Sequence, residues 1–141
     1  MKRSMTYSAR PIGWVRSSLN NRAEAPKQGF EGAPNAQVRI EPAFAPGLDG
    51  IEAGDDLFVL TWLHEAERDT LAVHPRDDAA RPLTGVFATR SADRPNPIGL
   101  HRVTVLTIAR DGGVLEVQGL EAIDGTPVID LKPVLVQINE R

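Results

Sequence analysis

The chain has 141 residues and a formal net charge of −3, a length that suits one domain able to bury a core without staples. Its 41% hydrophobic and 25% charged content is that of an ordinary globular protein, and the absence of cysteine excludes disulfides and thiolate chemistry. The acidic balance argues against binding nucleic acid over the whole surface, although Arg81, Arg90, Arg94 and Arg102, opposed in that window by Asp93 alone, leave a local basic patch.

No apolar region follows the basic start "MKRSMTYSAR", so no signal peptide is expected. The longest apolar run, Leu57 to Leu63, is far too short to span a bilayer as a helix. A cytoplasmic protein without a membrane segment is the expectation.

In chain order, "PIGWVRSS" reads as a strand around Ile12 to Arg16. The polar stretch from Leu19 to Pro34, with its Pro, Gly and Asn signals, reads as a long loop, and a loop of that length in a compact domain is usually functional or disordered. "AQVRIEP" alternates as a short strand. "GLDGIEAGDD" reads as a turn or short helical piece leading into a β-prone run, Leu57 to Leu63. A strand or short turn and an exposed charged loop then fill "AERDTLAVHPRDDAARP". From His101 the chain alternates again, with Val103 and Val105 on one face. Leu106 and Ile108 then fall on the other, a phase slip that predicts a β-bulge or a strand covered on both sides.

Asp111-Gly112 predicts a hairpin turn with positive φ angles, and Leu115 and Val117 alternate with Glu116 and Gln118 in the returning strand. A second Asp-Gly turn in "IDGTPVIDL" precedes a last strand. There is no solenoid-length repeat, no low-complexity tract and no long amphipathic helical pattern. Short strands at even spacing predict a mainly all-β fold: a small antiparallel β-barrel or sandwich with long loops and short helical turns.

The densest stretch is "GVFATRSADRPNPIGL", residues 85–100. Pro95 and Pro97 each fix φ and remove a donor, and each pushes its predecessor toward extended backbone. "RPNP" is therefore a stiff rod that cannot sit mid-sheet. Two readings stay open on physics alone: a solvated surface connector, or a ligand rim whose side chains are held at low entropic cost.

That block, together with "LEAIDGTPVIDLKP", "IGWVRSS" near the start and the "PKQGF" loop, resembles the YaeB-like family, also called TrmO or TsaA-like proteins. The resemblance runs over residues 7–134. It implies a small β-barrel that binds S-adenosyl-L-methionine and forms a homodimer. It also implies methylation of the N6 position of threonylcarbamoyladenosine beside the tRNA anticodon. The single domain, residues 1–141, is expected to lack the C-terminal domain of longer members. Val134 replaces the usual aromatic after "KP", which leaves a different acceptor open.

Matching positions imply cofactor contacts at Gln28, Gly29 and Phe30, at His64 and Arg90, and at Ile98, Leu100, Leu120 and Glu121. Arg90 would pair with the methionine carboxylate as a bidentate fork, and Phe30 and Leu100 would sandwich the adenine. Asp124 reads either as an ordinary turn residue or as a carboxylate near the sulfonium. Arg94, Asn96 and Lys132 are the candidates for orienting the acceptor.

The glycine-rich strand-to-helix turn of a Rossmann methyltransferase is absent. "HEAER" lacks the second histidine of a zinc helix, so no metal is expected. His74 and His101 read as structural, and Trp14 and Trp62 as core. Two rivals remain: a non-catalytic S-adenosylmethionine-binding or sensor protein, and a β-barrel interaction module whose prolines shape a protein-binding edge.

Overall fold

The computed structural model describes residues 5–19 and 35–135. In chain order the strands are β1 (Gly13–Arg16), β2 (Ala36–Ile40), β3 (Asp56–Trp62), β4 (Ala72–Val73), β5 (Thr84–Gly85), β6 (Ile98–Ala109), β7 (Val114–Gln118) and β8 (Pro127–Pro133). Six of them close a barrel in the order β1-β2-β7-β6-β3-β8, with every pairing antiparallel, and β4 pairs with β5 outside it. The expected antiparallel barrel is the architecture observed.

Alternation builds the wall. Val15, Val38, Val59, Val103, Leu115 and Val117 all face inward with at most 1% of their surface exposed. Branched side chains on a half-buried pleat both favour the strand and fill a narrow interior. Burying each one contributes roughly 1.5–3 kcal/mol relative to leaving it in water. Trp14 departs from the expected core position: it alternates with buried Gly13 and Val15, so the pleat turns it outward, 39% exposed. Its indole Nε1–H donates to Glu41 Oε1 at 3.1 Å.

β6 is the longest strand and serves two neighbours. Ile98–Thr104 pairs with β3 and Thr104–Ala109 with β7. The register shift between Val105 and Thr107 leaves Leu106 as the extra residue, half-exposed, and returns Ile108 to the inner face opposite Leu115. The phase slip in the sequence is this bulge.

The β6–β7 hairpin differs in detail from its expected form. The positive φ falls on Gly113, at 68°, rather than on Asp111-Gly112. Gly113 N–H closes the turn on Arg110 O at 3.1 Å, and its own carbonyl accepts from Ile40 N–H at 2.7 Å. A Cβ there would sit 2.6 Å from Ile40 O, so close backbone contact as well as φ demands glycine. The second Asp-Gly turn forms as expected, with Gly125 at φ 85° and Thr126 N–H bonded to Ile123 O.

A 3₁₀ helix, Pro42–Leu48, carries Leu48 into the core on the way to the start of β3. The opposite end, where β3 stops and β6 and β8 begin, is where the loops gather.

Candidate functional site

A cavity of about 930 Å³ opens at that end. Its walls are the chain after β3 (Leu63–Ala66), the turn after β4 (Val73–Asp77), the loop from Phe87 to Asn96, the first residues of β6 and the segment leading to β8. The size is that of a pocket for a drug-sized ligand or cofactor.

The loop of residues 86–97 is held by directed hydrogen bonds. Arg94 donates from Nη2 to Val86 O at 2.7 Å, and from Nη1 to Ser91 O at 2.8 Å and Thr89 O at 3.1 Å. Thr89 Oγ1 donates to Val86 O and accepts from Ser91 N–H, while Ser91 Oγ accepts from Asp93 N–H. Two bonds dock the loop on the chain after β3: Glu67 N–H donates to Asp93 Oδ1 and Arg94 N–H to Glu67 O.

Arg68 completes the clasp. It lies 5.1 Å over the Trp62 ring and donates to Pro95 O at 2.7 Å and Asn96 Oδ1 at 3.0 Å. A planar guanidinium suits both tasks, stacking on an aromatic face and spanning several acceptors. The stiff "RPNP" run ends in buried Pro97, and β6 starts at the next residue.

Five residues expected to touch cofactor, His64, Arg90, Ile98, Leu100 and Glu121, line the cavity. So do Arg94 and Asn96, although the Arg94 guanidinium is bound to the loop's own carbonyls. Arg90 and His64 are exposed and make no hydrogen bond or ion pair within the described residues. Ile98 and Leu100 are 45% and 41% exposed, an apolar plate beside these polar groups.

Six expected site residues, in four groups, lie elsewhere or outside the description. Leu120 is fully buried in the barrel core. Asp124 faces the end of β1, accepting from Ser17 N–H at 3.0 Å beside Arg16 at 3.5 Å. Lys132, on β8, pairs with Asp130 at 3.1 Å and is not in the cavity wall. Gln28, Gly29 and Phe30 form the fourth group, outside the described residues.

Reading the sequence missed a buried polar chain in the cavity wall. His101 Nδ1 lies 2.7 Å from Glu121 Oε1, and His101 Nε2 lies 2.7 Å from Thr61 Oγ1. Thr61 is fully buried, His101 is 5% exposed and the Glu121 side chain 16%. Thr61 faces Gly99 across the β3–β6 ladder. A Cβ on Gly99 would lie 2.3 Å from Thr61 Oγ1 and 2.6 Å from His101 Nε2, so glycine makes the space this chain occupies. The available signal was period two: His101 shares the inward phase of Val103 and Val105, and a polar residue on an inner face is informative.

The cavity thus offers an unpaired guanidinium and imidazole, an apolar plate and a carboxylate anchored from behind. Such a set suits a ligand that carries an anionic group, a cationic group and a flat apolar part. Among the described residues no cluster of His, Asp and Glu is arranged to hold a metal ion, and no helix is long and apolar enough to cross a membrane.

Comparison with known proteins gives a consistent result. The chain is 45% identical over 129 residues to a "Probable S-adenosyl-L-methionine-binding protein" of Methanothermobacter thermautotrophicus, covering 92% of this chain and 90% of that one. It is 42% identical over 123 residues to an S-adenosyl-L-methionine-binding protein of Archaeoglobus fulgidus, covering 87% of this chain and 86% of the relative. The crystal structure of TrmO from Pseudomonas aeruginosa superposes with a TM-score of 0.73 at 30% identity. That match covers 97% of this chain but only 61% of TrmO, so the chain spans less than two thirds of that protein. Residues 14–140 match the family described as the tRNA-methyltransferase O N-terminal domain, and the chain belongs to that family.

Proposed function

We propose that this chain is an S-adenosylmethionine-dependent methyltransferase whose methyl donor binds in the cavity at the end of the barrel. The observation that carries this reading is the pairing of free Arg90 with anchored Glu121 across one cavity, in a chain belonging to this family. S-adenosylmethionine has a carboxylate for Arg90, positive charge for Glu121 and an adenine for the Ile98 and Leu100 plate. The residues present fit the group.

When bound, the cofactor supplies an already activated methyl group on a positively charged sulfur. The protein's task is to align, to exclude water and to hold charge. Arg90 presents a bidentate fork to a carboxylate, and His64 adds a polar contact beside it. Arg94 and Arg68 act on the loop, fixing its backbone before any ligand arrives. Asn96 gives its side-chain oxygen to Arg68, which leaves its N–H₂ to orient an acceptor. Lys132 lies on β8 outside the cavity wall and serves as a point charge for the acceptor's backbone. Gln28, Gly29 and Phe30 are further cofactor contacts in this reading, and Leu120 and Asp124 act through the core and the end of β1 rather than on the ligand.

The acceptor in this reading is N6 of threonylcarbamoyladenosine in tRNA, handled by a cytoplasmic homodimer. The carbamoyl group makes that nitrogen more acidic than a plain exocyclic amine, so a strong general base is not required. The test is methyl transfer from labelled S-adenosylmethionine to total tRNA that lacks this modification, followed by nucleoside analysis. Label on threonylcarbamoyladenosine is the expected result. Tight cofactor binding with no labelled nucleoside would instead favour a cofactor-binding protein without this acceptor, the reading suggested by the archaeal relatives' names.

A further inference from the structure

The chain Thr61–His101–Glu121 stands out against a core cluster that is otherwise apolar among the described residues. The other buried polar side chain among them, Thr126, is satisfied locally by Ile123 O. A valine or leucine at position 61 or 101 would suit packing better, since buried polar groups must each find a partner. Thr61 is fully buried, and its Oγ1 lies 2.7 Å from His101 Nε2. On the other side of the ring, His101 Nδ1–H donates to Glu121 Oε1 at 2.7 Å, so the imidazole is held between the two.

No arginine or lysine among the described residues pairs with the Glu121 carboxylate. Among the described residues Oε2 has no hydrogen-bond partner and no buried side-chain oxygen lacks one, so Oε2 faces the cavity. Buried Ala122 and Ile123 flank the site and keep its surroundings weakly polarisable. A fixed carboxylate in such surroundings attracts a cation far more strongly than it would in water.

We propose that Thr61 and His101 hold Glu121 as a fixed carboxylate with one oxygen open to the cavity, and that this carboxylate selects the positively charged sulfur of the methyl donor over the neutral sulfur of the spent cofactor. The inference rests on the cavity being the methyl-donor site. His101 and Thr61 are positioning residues, and Glu121 is the group that meets the ligand. The arrangement has a functional consequence: methyl transfer removes the sulfur's charge, so the attraction that retained the donor is lost and the product leaves.

The test measures binding of S-adenosylmethionine and S-adenosylhomocysteine by calorimetry, with thermal unfolding of each ligand-free variant alongside. The two ligands share carboxylate, ammonium and adenine and differ in the sulfur's methyl group and the charge it brings, so the change in their affinity ratio between wild type and variant isolates the response to that charge. Glu121→Gln keeps the shape and removes the charge, and is expected to shift the ratio toward S-adenosylhomocysteine by about tenfold. His101→Leu is expected to shift it the same way. His101→Asn, which keeps an N–H donor near the Nδ1 position, should recover part of the shift.

Failure takes two separable forms. If the wild-type protein binds neither ligand, the donor-site reading falls and takes this inference with it. If both ligands bind and lose affinity equally in Glu121→Gln, the carboxylate does not sense the sulfur, and the inference alone is overturned. A folded His101→Leu with an unchanged ratio would reduce the chain to a packing device.

Discussion

The barrel wall and the loop over its open end both fix a chain in space, by different means. The wall relies on burial: Val15, Val38, Val103 and Leu115 face one another with almost no exposed surface. In the loop of residues 86–97, Val86 and Pro97 are the buried residues, and the rest is held by Arg94 and Arg68. Burial is non-directional and adds up over many side chains. The loop depends instead on a few bonds to particular carbonyl oxygens, each with strict geometry. Stability should therefore reside mostly in the wall and ligand affinity mostly in the loop.

Substitution can separate the two. Leu115→Ala empties a fully buried site in the wall and should cost about 2–5 kcal/mol in denaturant unfolding. The affinity of the folded protein for S-adenosylmethionine should stay as it was. Arg94→Ala should show the converse. It removes three bonds to half-buried carbonyls, some of which water replaces, for a net loss on the order of 1–3 kcal/mol. Cofactor affinity should fall by more than about tenfold, because the loop that carries Arg90 is no longer held. Arg94→Lys should not restore it, since one ammonium cannot span three carbonyls in a plane. Calorimetry showing wild-type affinity in either Arg94 variant would dissolve the contrast.

Arg90→Ala sharpens the contrast to a single side chain. The residue is exposed and bonded to nothing in the described structure, so stability should change by no more than about 0.5 kcal/mol. Cofactor affinity should still fall by about tenfold or more, if Arg90 receives the carboxylate. A large stability loss would instead place Arg90 with Arg94 among the residues that hold the loop.

The same division governs what could be read from the sequence. Wall strands follow period two, so the strands around Gly13–Arg16, Ala36–Ile40 and Val114–Gln118 were legible, as was the bulge at Leu106. Trp14 was misplaced because its strand-like run suggested the core, whereas its phase against Val15 put it outside. The loop showed its rigidity in Pro95 and Pro97 and its dense arginines. It did not show that Arg94 turns inward onto Val86 while Arg90 points away, because both are arginines in one polar run. The Thr61–His101–Glu121 chain joins three distant segments and appears only when β3 and β6 pair. Its trace in the sequence was a histidine on an inward phase beside a glycine that packing alone would not require.

The smallest effect belongs to the outer face of the wall, where a directed bond supports a strand rather than a loop. Asp56, at the start of β3, accepts from Thr104 Oγ1 at 2.8 Å and from Arg102 Nη2 at 3.1 Å. The Thr104 hydrogen bond first, and then Arg102, hold its carboxyl below the ordinary value of 3.8. A group with a lowered folded value takes up its proton more readily in the unfolded chain. Its contribution is therefore complete above pH 3.8 and is lost as the pH falls through the lowered folded value. Solvent and salt screen this exposed cluster, so the contribution is small. Melting curves of wild type and Asp56→Asn should differ slightly near neutral pH and converge in acid, with cofactor affinity the same in both. A gap that persists undiminished in acid would assign the effect to packing around Thr104. A change in cofactor affinity would mean that wall and loop are coupled, against the separation on which the other substitutions depend.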